Sequence, residues 1–481
     1  MDENKNNDLD INDTGDGFFD DVTKEEPTYK EENTDGKQGE SNREKTPAPT
    51  PKKKVWKRIV AVAAAVSAVF FAFSCGVTVT QRDMDDEMRT LMNIKNTIQK
   101  EYYQNITDEE FYSVIFDAIN NDLLDDYSEY MTYEEYLAMT ESLAGKRSGI
   151  GVAFSVADAY GNPQMMVYRV LENSPAEQAG LRYGDLIVGF GKSETDIKES
   201  VDFNNGFQPF LNAMGDNEPF YLKIMRDGET SLVQISKEYY VESYVSYRTN
   251  KTSYGFTGDT ALEMTEKGNA LTCLPDDTAY IRLTQFTGNA ADGFALVMEQ
   301  FKKDEMTNLV LDLRENGGGY LEYLQDIAQY FCKESDHARP AAVIADYGEK
   351  REVYRAAGNR YYDYFTDESR IMVLADCYTA SASECLIGCM VDYGAVAYED
   401  ICLSERNGVA KTFGKGIMQA TFYVDKSMKD FLKLTTAELR WPVSEESIHA
   451  RGVLPQDGTL TVAESHVGEE ELQNAIALLF Q

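Results

Sequence analysis

Three side chains have the types and spacing for covalent chemistry: Ser381, Lys415 and Gln419. Ser381 lies in Cys377-Tyr378-Thr379-Ala380-Ser381-Ala382-Ser383-Glu384, between the apolar run Ile371 to Ala375 and a helical stretch from about Ala382 to Tyr393. A helix N-terminus offers free amides and positive potential, which suits an acyl-transfer nucleophile. The same Ser381-Ala382-Ser383-Glu384 satisfies the capping-box pattern, so this segment alone supports a structural cap equally well. A serine nucleophile must lose its proton to a base. The chain has only His337, His449 and His466, none in a recognisable catalytic setting, and no His-Glu-x-x-His for a metal. A lysine can replace histidine where desolvation favours its free amine. Lys415 is the candidate, in Phe413-Gly414-Lys415-Gly416-Ile417-Met418-Gln419. Its flanking glycines permit tight packing, and an extended strand puts Gln419, four residues on, on the same side to hold the amine. The competing reading of a lysine between glycines is a solvated turn.

An anion developing during acyl transfer needs amide donors, and a glycine run can supply them. Leu309-Val310-Leu311-Asp312-Leu313 reads as a buried strand and ends in Arg314-Glu315-Asn316-Gly317-Gly318-Gly319. Consecutive glycines let backbone approach a ligand and turn amides toward it. No Gly-Lys-Ser/Thr follows, which disfavours a phosphate-binding loop. With the strand Tyr280 to Leu283, a helix over Ala290 to Phe301 and the strand Ile371 to Ala375, the C-terminal half predicts an α/β core.

A strand-rich module precedes this core, from about Ser148 to Lys237. Gly149-Ile150-Gly151-Val152 is a flexible loop entering a strand. Ser174-Pro175-Ala176-Glu177-Gln178-Ala179-Gly180-Leu181 predicts a short helix started by Pro175 and stopped by Gly180. Tyr183-Gly184-Asp185-Leu186-Ile187 then opens another strand. Met84 to Leu143 reads as helical, with Met88, Leu91, Met92, Ile94, Ile98 and Tyr102 at three- and four-residue intervals and a capping start at Thr107-Asp108-Glu109-Glu110. Such helices predict a spacer or a homodimer contact.

Composition sets the rest. Acidic residues outnumber basic ones 82 to 46, and no basic stripe exists to neutralise phosphates, so nucleic acid is excluded as a partner. Residues 1–54 are polar and predict a disordered cytoplasmic tail ending in Lys52, Lys53 and Lys54. From Ile59 to Val79 about 21 residues pass without a charge, enough for one transmembrane helix within residues 55–80. The length of the preceding tail favours a signal-anchor over a cleaved signal peptide. The basic flank then predicts a single-pass cell-membrane protein, N-terminus cytoplasmic and everything after about Gln81 outside. Cys273, Cys332, Cys377, Cys385, Cys389 and Cys402 allow disulfides there, although Cys385 and Cys389 read more simply as small buried residues. No Cys-x-x-Cys suggests a metal, and no cofactor is called for.

Taken in order, these segments resemble the C-terminal processing proteases, or tail-specific proteases, with a PDZ domain at the Gly149-Ile150-Gly151-Val152 loop and the Ser174 to Ile187 stretch. The motifs carrying the resemblance include Leu123-Leu124-Asp125-Asp126-Tyr127-Ser128-Glu129-Tyr130-Met131, Leu311 to Gly319, Thr379 to Glu384, Phe413 to Gln419, Leu434-Thr435-Thr436-Ala437 and Arg451-Gly452-Val453-Leu454-Pro455. The resemblance implies a helical segment over 81–146, a PDZ domain over 147–238 and a protease core over 239–481. It implies Ser381 as nucleophile, Lys415 as general base, Gln419 as its orienting partner, and the amides of Gly318 and Ala382 as oxyanion hole. In PDZ domains the terminal carboxylate of a ligand strand is captured by the loop that is here Gly149, Ile150, Gly151 and Val152. Protein or peptide C-termini are the implied substrates, and an inactive PDZ scaffold for membrane partners is the alternative. The chain departs from the family at Asn316-Gly317-Gly318, where Asn-Pro-Gly is usual, at Pro455-Gln456-Asp457, and in the 34 positions from Ser381 to Lys415, which predict an inserted loop around Asp400 to Ala410.

Overall fold

The structure is a computed structural model and describes residues 85–143, 146–157, 163–257, 262–333, 338–406, 408–424, 429–463 and 468–480. The acidic tail and the apolar segment 59–79 lie outside them. Among the described residues no helix is long and apolar enough to cross a membrane. The chain divides into residues 1–102 and 103–481. In the first unit the helix Asp86–Glu101 starts where the Asp85 carboxylate accepts the Met88 amide at 2.8 Å.

The second unit departs early from the helical pattern. Asp108–Ala118 is a helix with the Thr107/Glu110 capping box, and Tyr133–Leu143 is another. Between them, however, Glu129–Thr132 is a strand, paired antiparallel with Asp430–Arg440 in the register Glu129↔Lys433. The cause is a side-chain turn: Asp125 Oδ1 accepts the amides of Tyr127 at 3.1 Å and Ser128 at 2.7 Å, which competes with helix continuation. Tyr130 then fixes the strand by donating to Asp430 Oδ1 at 2.6 Å.

A six-stranded sheet follows, in the order Val152–Ala157, Pro163–Val170, Leu186–Gly191, Pro219–Arg226, Glu229–Ser236, with Lys198–Glu199 beside Leu186–Gly191. Among the described residues Val152–Ala157 is therefore the edge strand of this sheet. The short helix Pro175–Gln178 has Pro175 in its first turn and Ser174 as cap, and Gly180 adopts φ +76° just beyond it. Met165, Val167, Phe207, Phe220 and Leu222 fill the core of this module.

The remaining chain builds two sheets. Thr278–Leu283, Asn308–Asp312, Ile371–Ala375 and Ile401–Arg406 run parallel at the centre of the larger one. Ala290–Lys303, Leu321–Ala328 and Ala382–Asp392 supply helices whose apolar residues share a core with it. Strands buried on both faces need continuous apolar runs rather than alternation, and Leu309 to Leu311 and Ile371 to Ala375 are of that kind. The second sheet joins Glu129–Thr132, Asp430–Arg440, Ala341–Asp346, Arg351–Arg355 and Ile417–Tyr423.

The inserted loop expected around Asp400 to Ala410 is instead part of the sheet. Ile401–Arg406 pairs with Ile371–Ala375 in the register Val373↔Ile401, and Val409–Ala410 folds back on it. Ile401, Cys402 and Leu403 are buried, so the segment is core rather than surface. All six cysteines among the described residues are thiols, and those of Cys332 and Cys389 lie 3.3 Å apart in the core.

Gly388 shows how closely the helix Ala382–Asp392 packs: a Cβ there would lie 2.1 Å from the Trp441 ring. Gly388→Ala gains up to about 1 kcal/mol of helix propensity. Overpacking a core costs about 1–3 kcal/mol, and an indole wedged by its neighbours places the cost at the upper end. A net loss of about 1–2 kcal/mol is expected in urea unfolding; unchanged or raised stability would show that Trp441 can move aside.

Candidate active site

Ser381 sits just beyond the carboxyl end of the parallel strand Ile371–Ala375, beside the loop that leaves Asn308–Asp312. In α/β sheets this end of the strands is where ligands bind. Its backbone has φ 57° and ψ −118°, a region non-glycine residues rarely occupy. Such a conformation costs about 1–3 kcal/mol and persists only where neighbours hold it. Here the Ala380 amide donates to Asn316 O at 2.9 Å, the Ser383 hydroxyl to the same oxygen at 3.0 Å, and the Thr379 hydroxyl to Leu313 O at 2.9 Å.

The strongest tether is Glu384. Its buried carboxylate accepts the amides of Ser381 at 2.8 Å, Gly414 at 2.8 Å and Lys415 at 3.0 Å, and the Thr412 hydroxyl at 2.5 Å. One oxygen, Oε2, receives both the Ser381 and the Lys415 amide. Residues 34 positions apart are thereby bound to a single atom. The Phe413 amide adds a bond to Thr379 O at 2.9 Å. Burial raises the Glu384 pKa, and the four donors offset that only in part.

Lys415 points its amine at Gln419, donating to Oε1 at 2.7 Å. The Gln419 side-chain amide in turn donates to the Tyr127 carbonyl, and the Tyr127 ring lies 5.3 Å from Lys415 Nζ. Burial, and secondarily the charge of Lys433, lower the Lys415 pKa and favour the free amine. No hydrogen bond joins Lys415 Nζ to the Ser381 hydroxyl, so the amine rests on Gln419. The glycines beside Lys415 are needed for close approach: a Cβ at Gly414 would lie 2.9 Å from the Gly452 amide nitrogen, and one at Gly416 2.6 Å from that of His449.

The glycine run lies directly against Ser381. A Cβ on Gly318, which has φ +95°, would sit 2.7 Å from Ser381 Cβ and 2.8 Å from the Ala382 nitrogen. The Gly318 amide donates to Asn316 Oδ1 at 2.9 Å, so one of the two oxyanion donors expected from the sequence is engaged within the loop. The Ala382 amide, in the first turn of its helix, has no intrahelical acceptor. Among the described residues no group of three or more His, Cys, Asp or Glu could hold a metal ion.

In the other module, the Ile150 carbonyl accepts the Ala176 amide at 2.9 Å and the Gly151 carbonyl accepts the Leu171 amide at 3.0 Å. The carbonyls of Ile150 and Gly151 are thus pinned, while their amides have no acceptor among the described residues; Gly149, read from the sequence as loop, instead ends the strand Lys146–Gly149 that pairs antiparallel with Glu238–Val241. The loop opens directly into the edge strand Val152–Ala157.

Tyr127, Asn316 and the bridging role of Glu384 were not singled out from the sequence. Glu384 carried a visible signal, a carboxylate opening an otherwise apolar helix turn. Tyr127 lies in a motif that carries the resemblance, but its role, through a carbonyl and a ring face brought in by the fold, was not assigned.

Residues 277–457 match Peptidase family S41, and residues 148–236 match the PDZ domain. A Staphylococcus saprophyticus protein named "Probable CtpA-like serine protease" is 24% identical over 377 residues, 78% of this chain and 65% of that protein. The match therefore spans just under two thirds of that relative. A solved photosystem II D1 C-terminal processing protease is 22% identical, with a TM-score of 0.43 over 77% of this chain and 86% of that one. A putative S41 protease from Bacteroides fragilis is 17% identical, with a TM-score of 0.49 over 79% of this chain and 90% of that one.

Replacing Glu384 tests the tether. Glu384→Gln keeps the shape but turns two donors toward backbone amides, and leaving buried donors unpaired costs about 1–3 kcal/mol each. A stability loss of at least about 3 kcal/mol is expected in chemical denaturation. A loss below about 1 kcal/mol would show that the segments are held together by other contacts.

Proposed function

We propose that the chain, whose residues 277–457 match Peptidase family S41 and 148–236 the PDZ domain, is a serine endopeptidase acting on protein C-terminal tails through Ser381 and Lys415. The observation carrying this reading is the Glu384 carboxylate, which binds the backbones of Ser381 and Lys415 at one oxygen beside an amine whose burial favours its neutral form.

In this reading the neutral Lys415 amine turns from Gln419 to accept the Ser381 hydroxyl proton while Oγ attacks the scissile carbonyl. The oxygen of the tetrahedral intermediate is met by the Ala382 amide and by that of Gly318 once it leaves Asn316. Collapse passes the proton from the Lys415 ammonium to the leaving amine and leaves an ester on Ser381. Water, deprotonated by Lys415, then releases the acid. The PDZ loop takes the substrate's terminal carboxylate on the amides of Ile150 and Gly151, and the tail lies along Val152–Ala157 as an added strand. We place the catalytic part outside the cell membrane, anchored by residues 59–79; deletion of that segment should move the protein from the membrane to the soluble fraction.

The engaged Gly318 amide and the absent Ser381–Lys415 bond favour a second reading, a non-catalytic PDZ scaffold. Cleavage of an unfolded protein by the full chain in detergent separates the two. Ser381→Ala and Lys415→Ala should each lower kcat/KM by at least about 10³-fold. For the wild type, kcat/KM should rise with pH as Lys415 loses its proton and level off below the ordinary lysine range, since its pKa is lowered. Equal inertness of wild type and both variants on diverse tails would leave the scaffold.

A further inference from the structure

The two helices that begin at the candidate site meet again near their far ends. Leu321–Ala328 starts after the glycine run, Ala382–Asp392 starts after Ser381, and apolar residues of both lie in one core. Past Leu321–Ala328 the chain stays turned, with the Cys332 amide donating to Ala328 O at 3.1 Å, and Cys332 is buried. Cys389, toward the end of Ala382–Asp392, is buried with it. Their sulfurs lie 3.3 Å apart, well inside the contact range of about 4 Å for packed side chains. A disulfide holds its sulfurs at about 2.05 Å. Closing the bond therefore needs about 1.2 Å of approach, shared between two side chains.

The fold also separates this pair from the other thiols. Cys385 lies on the same helix as Cys389, one turn earlier. Cys402 belongs to the core on the other face of the large sheet, with Val310 and Leu374. Cys273 is exposed and Cys377 partly so. The contact with Cys332, and then burial, hold the Cys389 thiol well above the ordinary thiol range. Exchange needs a thiolate, so an oxidant reaches the pair while the core is open, as the chain folds or during a local opening.

We infer that Cys332 and Cys389 form a disulfide that staples the helix of the glycine run to the helix of the serine when the chain meets an external disulfide. One thiolate attacks a sulfur of that disulfide and expels a thiol, leaving a mixed disulfide. The second thiolate then attacks the protein sulfur of the mixed disulfide and expels the other thiol. Both cysteine protons end on the released thiols, and the external disulfide takes up the two electrons. The bond closes a loop between residues 57 positions apart, and a loop of that length restricts the unfolded chain strongly. Neither catalysis nor tail binding is required for it.

The test incubates the reduced full chain in detergent with oxidised glutathione, in urea below its unfolding transition, where the core opens and recloses. The chain is then denatured, alkylated and digested for mass analysis. In most chains the peptides of Cys332 and Cys389 should be linked, and the linked chain should melt at least about 3 °C above the chain kept reduced. Cys332→Ala should leave Cys389 alkylated and joined to no other cysteine. Thiols packed only as small apolar groups would both be alkylated in the wild type, and that result would overturn the inference. So would a lasting glutathione adduct on either residue, linkage of either to another cysteine, or a linked chain that melts no higher than the reduced one.

Discussion

One buried carboxylate holds the candidate site together. An ionised glutamate in a dry interior is unfavourable unless donors surround it. Glu384 finds its four donors on Ser381 and on the segment from Thr412 to Lys415, so the chain satisfies that charge only by bringing both segments to it. Its place at the third position of the helix is what makes this possible, because a side chain there reaches back to the capping residue. The cap and the nucleophile, which compete as readings of the sequence, are thus compatible in the structure. The capping bond shapes the strained serine, and the remaining capacity of the carboxylate recruits the lysine strand.

Lys415 illustrates a second balance. Desolvation lowers its pKa, but a buried neutral amine is useful only if its lone pair faces the right way. The amide oxygen of Gln419 accepts one N–H and therefore orients the amine without taking up the lone pair. Which end of Gln419 faces Lys415 is set by the Tyr127 carbonyl, which can only accept and so selects the amide nitrogen. Tyr127 is itself placed by the Asp125 turn that ends the preceding helical segment. The strand that interrupts the expected helices is in this way part of the site's support.

Much of the site was legible because its chemistry is local. Strand, turn and helix around Ser381 are written in an apolar run, a cap and a helical stretch, and Gly414 and Gly416 announce the close approach of residues 449–452. The PDZ helix was equally clear, since Pro175 and Gly180 mark its two ends. Contacts made across the fold were not legible. Ile401–Arg406 has charged neighbours and a position between motifs that suggested added loop, and only its parallel pairing with Ile371–Ala375 buries it. Glu129–Thr132 follows a helical pattern, and its pairing with residues some 300 positions away has no trace in the local sequence.

In the proposed mechanism the Gly318 amide must leave its bond to Asn316, and the glycine run is where that change can occur. Asn316 is fixed from several sides: its carbonyl accepts from Ala380 and Ser383, its side-chain nitrogen donates to Leu283 O at 2.8 Å, and its side-chain oxygen accepts from Gly318. Release of the Gly318 amide therefore cannot come from displacement of Asn316 without breaking bonds that also hold the serine. It must come from rotation of the Gly317–Gly318 peptide plane, which lies between two residues without a Cβ, because the Gly318 carbonyl is itself held by the Phe286 amide at 2.8 Å. A proline at 317, usual in the resembling family, would remove part of that freedom by fixing φ. Gly317 instead leaves the loop free to trade the bond to Asn316 for one to a developing oxyanion, at an entropic cost whenever the productive arrangement is held. In the proposed mechanism the energy to hold it comes from the bound substrate, so the loop rests unassembled until a tail is in place.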